Sequence, residues 1–173
     1  MQNSKIDILQ LAKNLENGGI FIHPTDTIPG IGCLADQEEA CKKISGIKNV
    51  SHSRKGFIGL IGSMEQGLEV YKELPEVFKA FLQKVWPGSF TFVYENHQGN
   101  TSALRMPKFE YNQWMGDLLK LLTSPLVSTS INISGHQPLK DWSQIKNFAY
   151  DHSIKTISDQ FEKTKKNLSL IHI

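Results

Sequence analysis

Three short segments of this chain concentrate side chains that can handle an anion. Thr25, Asp26 and Thr27 stand between Pro24 and the Pro29-Gly30 pair. Lys48, His52, Arg54 and Lys55 place four potential cations within eight positions. Ser128, Thr129, Ser130, Asn132 and Ser134 put five hydroxyl or amide groups into seven residues. Arg105 lies in an apolar run, where an unpaired charge is costly, so it is either paired or functional. No strong nucleophile or base stands out. The set suits a reaction driven by positioning and charge neutralisation, as phosphoryl and nucleotidyl transfers largely are. Each segment also has a plainer reading: hydroxyls that cap a helix or satisfy backbone groups, and a solvated charged loop.

Several other chemistries find no support. There is no GxxxxGK[ST] phosphate loop, no HExxH and no Gly-x-Ser-x-Gly. The six histidines are scattered without metal-ligand spacing. Residues 30–35 match a dinucleotide G-x-G-x-x-A pattern. Six residues, Pro24 to Pro29, intervene before that match, whereas the fingerprint starts at the strand end. The 173 residues carry 19 basic and 17 acidic side chains, a net charge of +2 that does not announce a nucleic-acid binder. Two isolated thiols, Cys33 and Cys41, fit neither a zinc site nor a disulfide framework and are compatible with a reducing cytosol. The N-terminus lacks a signal-peptide pattern, and no apolar run has the length of a membrane span. A cytoplasmic protein is expected.

The elements that must position these residues alternate. Residues 4–17 form an amphipathic helix in this reading, capped by Ser4 with Asp7 and stopped by Gly18-Gly19. Ile20, Phe21 and Ile22 form a buried strand that runs into a rigid loop over 24–32. A second helix starts at Asp36, with Glu39 three residues on, and ends near Lys48. A strand follows over 57–61, then a short helix from Ser63 with Gln66. Pro75 opens a further helix whose Val77, Phe78, Phe81, Leu82 and Val85 are expected in the core. Trp86-Pro87-Gly88 is a hard turn. Strands over 89–94 and 101–106 precede a helix over 111–122, with Trp114, Leu118 and Leu121 or Leu122 inward. An apolar stretch over 125–127 leads into the hydroxyl-rich segment over 128–135. A helix over 141–150 and strands over 156–158 and 168–173 close the chain. The expected fold is α/β or mixed α+β, a single domain over residues 1–173.

Five ordered motifs resemble the YrdC family of threonylcarbamoyl-AMP synthases. Residues 24–32, PTDTIPGIG, are similar to the family's PT-(E/D)-T-V-(Y/F)-G-(L/V)-G. Lys48, followed at a distance by Lys55-Gly56-Phe57-Ile58, resembles the segment that begins K-x-R. Residues 86–93 match W-P-G-x-(L/V)-T-(L/F)-V. Arg105-Met106-Pro107 matches R-(V/M)-P, and residues 125–135 match the S-x-N region. The position two after Lys48 is Val50 where the pattern has arginine, and Pro29 replaces an aromatic.

The resemblance implies a twisted mixed sheet, flanked by helices, around a deep, positively charged cavity. It implies a nucleotidyltransferase taking ATP, L-threonine and bicarbonate, with magnesium (Mg2+), and releasing threonylcarbamoyl-AMP and pyrophosphate for the modification of tRNA with partner proteins. By motif position Lys48, Ser130 and Asn132 are the catalytic set and face the nucleotide phosphates. Thr25 contacts threonine and Arg105 its carboxylate, with Thr101 and Ser128 as further substrate contacts. Arg54, Lys55 and Ser169 are phosphate-side candidates, and no protein side chain is expected to hold the metal. The alternative is a divergent paralogue that binds nucleotide or double-stranded RNA without synthase activity.

Overall fold

In the computed structural model, which describes residues 7–25, 28–49, 57–110, 113–133 and 135–156, one mixed sheet of seven strands runs in the order β4-β5-β3-β6-β2-β1-β7. The strands are β1 (Phe21–His23), β2 (Gly30–Leu34), β3 (Ile58–Leu60), β4 (Phe92–Glu95), β5 (Thr101–Arg105), β6 (Leu126–Ser130) and β7 (Lys155–Thr156). The helices are α1 (Ile8–Glu16), α2 (Glu38–Ile47), α3 (Met64–Val70), α4 (Glu76–Val85), α5 (Gln113–Leu121) and α6 (Trp142–Asp151). β1 pairs parallel with β7, and β3 with β5; the remaining neighbours are antiparallel.

Period-2 alternation divides the side chains of this sheet between two apolar layers. Ile22, Ile31, Cys33 and Val127 pack with Cys41 and Ile44 of α2 and Ile145 of α6. Phe21, Leu34, Leu60 and Leu126 face the other way, onto α1 and α5. A third cluster, around Tyr71, Leu82, Trp86 and Leu104, seals the β4 end of the sheet. The Tyr71 hydroxyl donates to the Phe92 carbonyl at 2.7 Å, so this buried ring has its polar end satisfied.

The segment over 24–32 is only partly loop. Gly30 and Gly32 belong to β2, which folds back antiparallel on β1 with Phe21 opposite Gly32 and His23 opposite Gly30. Close approach explains the glycines: a Cβ at Gly32 would come within 2.1 Å of the Val127 carbonyl oxygen, far inside van der Waals contact. Ser128 and Ser130 are likewise within a strand, β6, instead of beyond one. At the first helix Asp7 is the cap, its carboxylate accepting from the Gln10 N–H at 2.9 Å, so the helix begins at Ile8 and not at 4. α2 begins at Glu38 behind Gln37, and Asp36 makes no cap. The paired acidic residues Glu38 and Glu39 at that N-terminus suit the helix dipole without one.

The aromatic stripe of α4 is a correction. Leu82 alone in that helix is fully buried, whereas Val77 is 70% exposed and Phe78 and Phe81 lie partly in solvent. α4 packs at the edge of the sheet, so only one narrow side of it finds apolar neighbours. Phe81 instead meets Phe90 edge-on at 6.2 Å, and Phe78 leans on Phe92 and Tyr94. In α5, Leu118 and Leu119 are buried, followed by Leu122, while Leu121 faces solvent. The possible strand over 168–173 lies outside the described residues. No helix among the described residues is long and apolar enough to cross a membrane.

Candidate functional site

Helix α2 ends on Lys48, and Asn49 then takes a left-handed φ of 54°, a conformation that asparagine tolerates at a helix stop. This places Lys48 beside the end of β6. Its Nζ donates to the Ser130 carbonyl at 2.7 Å, to Asn132 Oδ1 at 2.8 Å and, more weakly, to the Asn132 carbonyl at 3.3 Å. Ser130 Oγ donates to the same Asn132 Oδ1 at 2.6 Å. The Asn132 amide nitrogen is fixed in turn by the carbonyls of Ile133, at 3.1 Å, and His136, at 2.8 Å. Residues 82 and 84 positions apart thus form one connected network.

The electrostatics of this network are lopsided. Lys48 is a buried cation held by neutral oxygen dipoles, and among the described residues no carboxylate pairs with it. Burial pushes its pKa below the ordinary lysine value, because the charged form loses water. A cation satisfied by dipoles but not by an opposite charge retains its attraction for an anion.

The turn between β1 and β2 sits next to that network, because Gly30 pairs with Ser130 across the sheet. Thr25 Oγ1 donates to the Ile28 carbonyl at 2.7 Å, so its hydroxyl braces the backbone. Ser128 lies two residues from Ser130 on the same face of β6 and is almost fully buried.

Register places the other predicted residues. Thr101 opens β5, three positions before the Leu104 that pairs with Gly59 of β3. Thr101 is exposed and lines a cavity of about 940 Å³ with Gly59, Asn96, His97, Asn100 and Ser102. Arg105 lies level with Leu60 and Leu126, so its Cα is about 16 Å from that of Ser130 on strand spacings alone. Its Nε donates to the Gly88 carbonyl at 3.2 Å. The structure therefore brings Lys48, Ser130 and Asn132 into direct contact, with Thr25 and Ser128 alongside. Arg105 and Thr101 stand apart from that network on strand β5. Arg54, Lys55 and Ser169 lie outside the described residues. Among the described residues no three His, Cys, Asp or Glu side chains group as metal ligands.

Sequence reasoning passed over His23. It is fully buried at the end of β1, directly before Pro24. Its Nδ1 lies 2.9 Å from the Pro24 carbonyl, and its Nε2 has no hydrogen-bond partner among the described residues. Burial pushes its pKa down to about 4, against the smaller opposing effect of that carbonyl. The only signal in the sequence was a histidine ending an apolar run.

Comparison with known proteins adds to this geometry. Residues 13–169 match a family model named Sua5/YciO/YrdC and described as telomere recombination. A threonylcarbamoyl-AMP synthase of Chromobacterium violaceum is 27% identical over 167 residues, covering 93% of this chain and 86% of that protein. One from Blochmanniella floridana is 29% identical over 159 residues, covering 83% and 80%. Among solved structures, P. abyssi Sua5 complexed with L-threonine superimposes with a TM-score of 0.72 at 27% identity. That alignment takes in 86% of this chain, which spans about half the length of Sua5, 45% in that structure. E. coli YciO, 20% identical, shares the fold with a TM-score of 0.67 over 86% of this chain and 75% of its own.

Proposed function

This chain belongs to the Sua5/YciO/YrdC family, and we propose that it acts as a nucleotidyltransferase making threonylcarbamoyl-AMP and pyrophosphate from L-threonine, bicarbonate and ATP. The relatives named as threonylcarbamoyl-AMP synthases and the Sua5 complex with L-threonine support this reading. The observation that carries it is Lys48: a buried cation with no carboxylate partner among the described residues, tied to Ser130 and Asn132.

The chemistry asks for what that network offers. Bicarbonate gives up hydroxide to become carbon dioxide, the neutral amine of threonine adds to it to form a carbamate, and the proton the amine loses leaves with the hydroxide as water. A carbamate oxygen attacks the α-phosphorus of ATP, the bond to the β-phosphate oxygen breaks, and pyrophosphate leaves. Negative charge crowds the phosphates throughout, and a fixed cation in a water-poor site stabilises it most where it accumulates. The 3.3 Å bond from Lys48 to the Asn132 carbonyl is the weakest of its three, and a phosphate oxygen can replace it. Ser130 and Thr25 supply neutral hydroxyl contacts that hold the substrates in register. Arg105 is the cation suited to the threonine carboxylate. Magnesium enters with the triphosphate: hydroxyls, an amide and an ammonium group suit phosphate oxygens better than a bare divalent ion.

Residues 1–173 serve as one catalytic domain in the cytoplasm in this reading, and partner proteins pass the threonylcarbamoyl group to tRNA. The test is to incubate the folded protein with ATP, threonine, bicarbonate and magnesium and to measure pyrophosphate. Release that depends on threonine is expected; its absence overturns the assignment. Val50, where the family pattern has arginine, favours a second reading, a paralogue that binds nucleotide or double-stranded RNA without turnover. RNA binding of that kind weakens steeply with salt, and undetectable or salt-independent binding removes it.

A further inference from the structure

The ring of His23 lies over β2, with one nitrogen in the space above Gly30 and Gly32. A carbonyl oxygen can only accept, so the 2.9 Å contact between Nδ1 and the Pro24 carbonyl puts the ring proton on Nδ1. The neutral ring then carries an open lone pair on Nε2. That atom is fully buried and has no donor. It lies 3.1 Å from where a Cβ on Gly30 would stand and 3.2 Å from the same point on Gly32. The two glycines leave the space that the ring occupies.

Ser128 Oγ reaches the same spot from the neighbouring strand, 2.7 Å from the Gly30 point. The two atoms straddle one position and are therefore less than about 6 Å apart. The Ser128 hydroxyl makes no hydrogen bond to any described residue, and it turns between staggered wells with little resistance. A buried acceptor without a partner is costly, and a purely structural position avoids it.

We propose that His23 is a positioning residue: when the Ser128 side chain turns towards it, its Nε2 takes the hydroxyl hydrogen, so that the serine lone pairs are left to receive an N–H of the amino-acid substrate. This rests on the synthase reading above, in which the ammonium group of L-threonine is the donor. The arrangement selects a primary amine over a ligand that offers only acceptors, since a serine held as donor to histidine has only lone pairs left to offer.

The experiment compares His23→Phe, His23→Gln and Ser128→Ala with the unaltered protein. His23→Phe keeps the bulk of the ring without an acceptor. His23→Gln returns an amide oxygen close to the Nε2 position. Expected is a 5- to 20-fold rise, roughly, in KM for threonine with His23→Phe and with Ser128→Ala, with KM for ATP unchanged. His23→Gln recovers most of that loss, and the double variant His23→Phe/Ser128→Ala is no worse than either single one. The 15N signal of His23 Nε2 shifts when L-threonine is added to the unaltered protein, which a merely packed histidine does not show. Unchanged KM for threonine, additive losses or a still 15N signal each overturn the proposal. A wild-type protein without threonine-dependent pyrophosphate release overturns the synthase reading instead, so the two failures are distinct. Should His23→Phe not fold, His23→Gln and the 15N titration carry the test alone.

Discussion

Lys48 Nζ and Asn132 Oδ1 lie 2.8 Å apart, and the same amide oxygen also takes the Ser130 hydroxyl. One side-chain oxygen thus orients both the cation and the hydroxyl of the site. Lys48→Met leaves that oxygen with the serine alone and removes the positive charge. Turnover in the pyrophosphate assay is expected to fall at least ~100-fold, the scale of losing one preorganised charge partner. Lys48→Arg keeps a charge and is expected to retain more activity than Lys48→Met. An unchanged rate with Lys48→Met removes this residue from the catalytic set.

The pH dependence has a definite sign. Burial lowers the pKa of Lys48, so as pH rises it loses its proton before an ordinary lysine does. Activity is therefore expected to fall on the alkaline side at a pH below the usual lysine range. In Lys48→Arg this limb moves upward, because arginine keeps its charge. A limb at the same pH in both proteins assigns it to another group.

His23 governs the acid side of stability. Its pKa falls from the ordinary 6.5 to about 4 on folding, so the unfolded chain binds the proton more tightly. The favourable contribution is whole above pH 6.5 and is lost as pH falls towards 4, about 3 kcal/mol over that interval. Urea unfolding of the wild type between those limits should show the slope, and His23→Gln should flatten it. Parallel curves for the two proteins contradict the neutral buried histidine.

Two glycines make a matched pair. Gly32→Ala drives a methyl group into the Val127 carbonyl, 2.1 Å away in the present backbone, and β2 must separate from β6 to admit it. A loss of more than ~3 kcal/mol is expected, at the severe end for a single substitution. Gly46, within α2, meets nothing within 4 Å, and Gly46→Ala should stabilise by about 0.5–1 kcal/mol. Thermal melts of the two variants that move in the same direction refute the packing described for β2.

Gln66 holds more than a helix cap. Its Oε1 accepts from the N–H groups of Gly62, at 2.6 Å, and Ser63, at 3.2 Å. Its Nε2 donates to the Leu119 carbonyl at 2.9 Å and the Leu122 carbonyl at 2.7 Å, closing the end of α5. Gln66→Leu strands all four groups, and a cost of about 2–4 kcal/mol is expected in chemical denaturation. A cost under ~1 kcal/mol shows that water replaces the amide.

Much of this was legible in the chain itself. The capping box of Ser63 and Gln66 names its helix from two residues, and the helix expected over 141–150 is α6, which starts at Trp142 behind an Asp141 cap. Local chemistry of that kind depends on neighbours three residues away. The far half of the Gln66 network was not legible, because its carbonyls come from positions 53 and 56 residues on. The α4 stripe misled for a related reason: helical spacing shows that one face is apolar but not how much sheet is there to cover it. At the site, motif resemblance located Lys48, Ser130 and Asn132, but the bonds joining them run across the sheet and have no local pattern. His23 escaped because a buried histidine and an apolar neighbour occupy the same place in a strand pattern.

The strand order has a consequence for how the protein comes into being. β6, at residues 126–130, lies between β3 and β2, both complete by residue 60. Until β6 leaves the ribosome, β2 and β3 have no strand between them, and the sheet exists only as separate pieces with raw edges. The strand that joins them also brings Ser130 to Lys48. A nascent or prematurely terminated chain is thus open at the middle and unable to hold the charge network at the same time. Closure of the sheet and the first link of that network, Lys48 to the Ser130 carbonyl, arrive with the same five residues, and Asn132 follows two positions on.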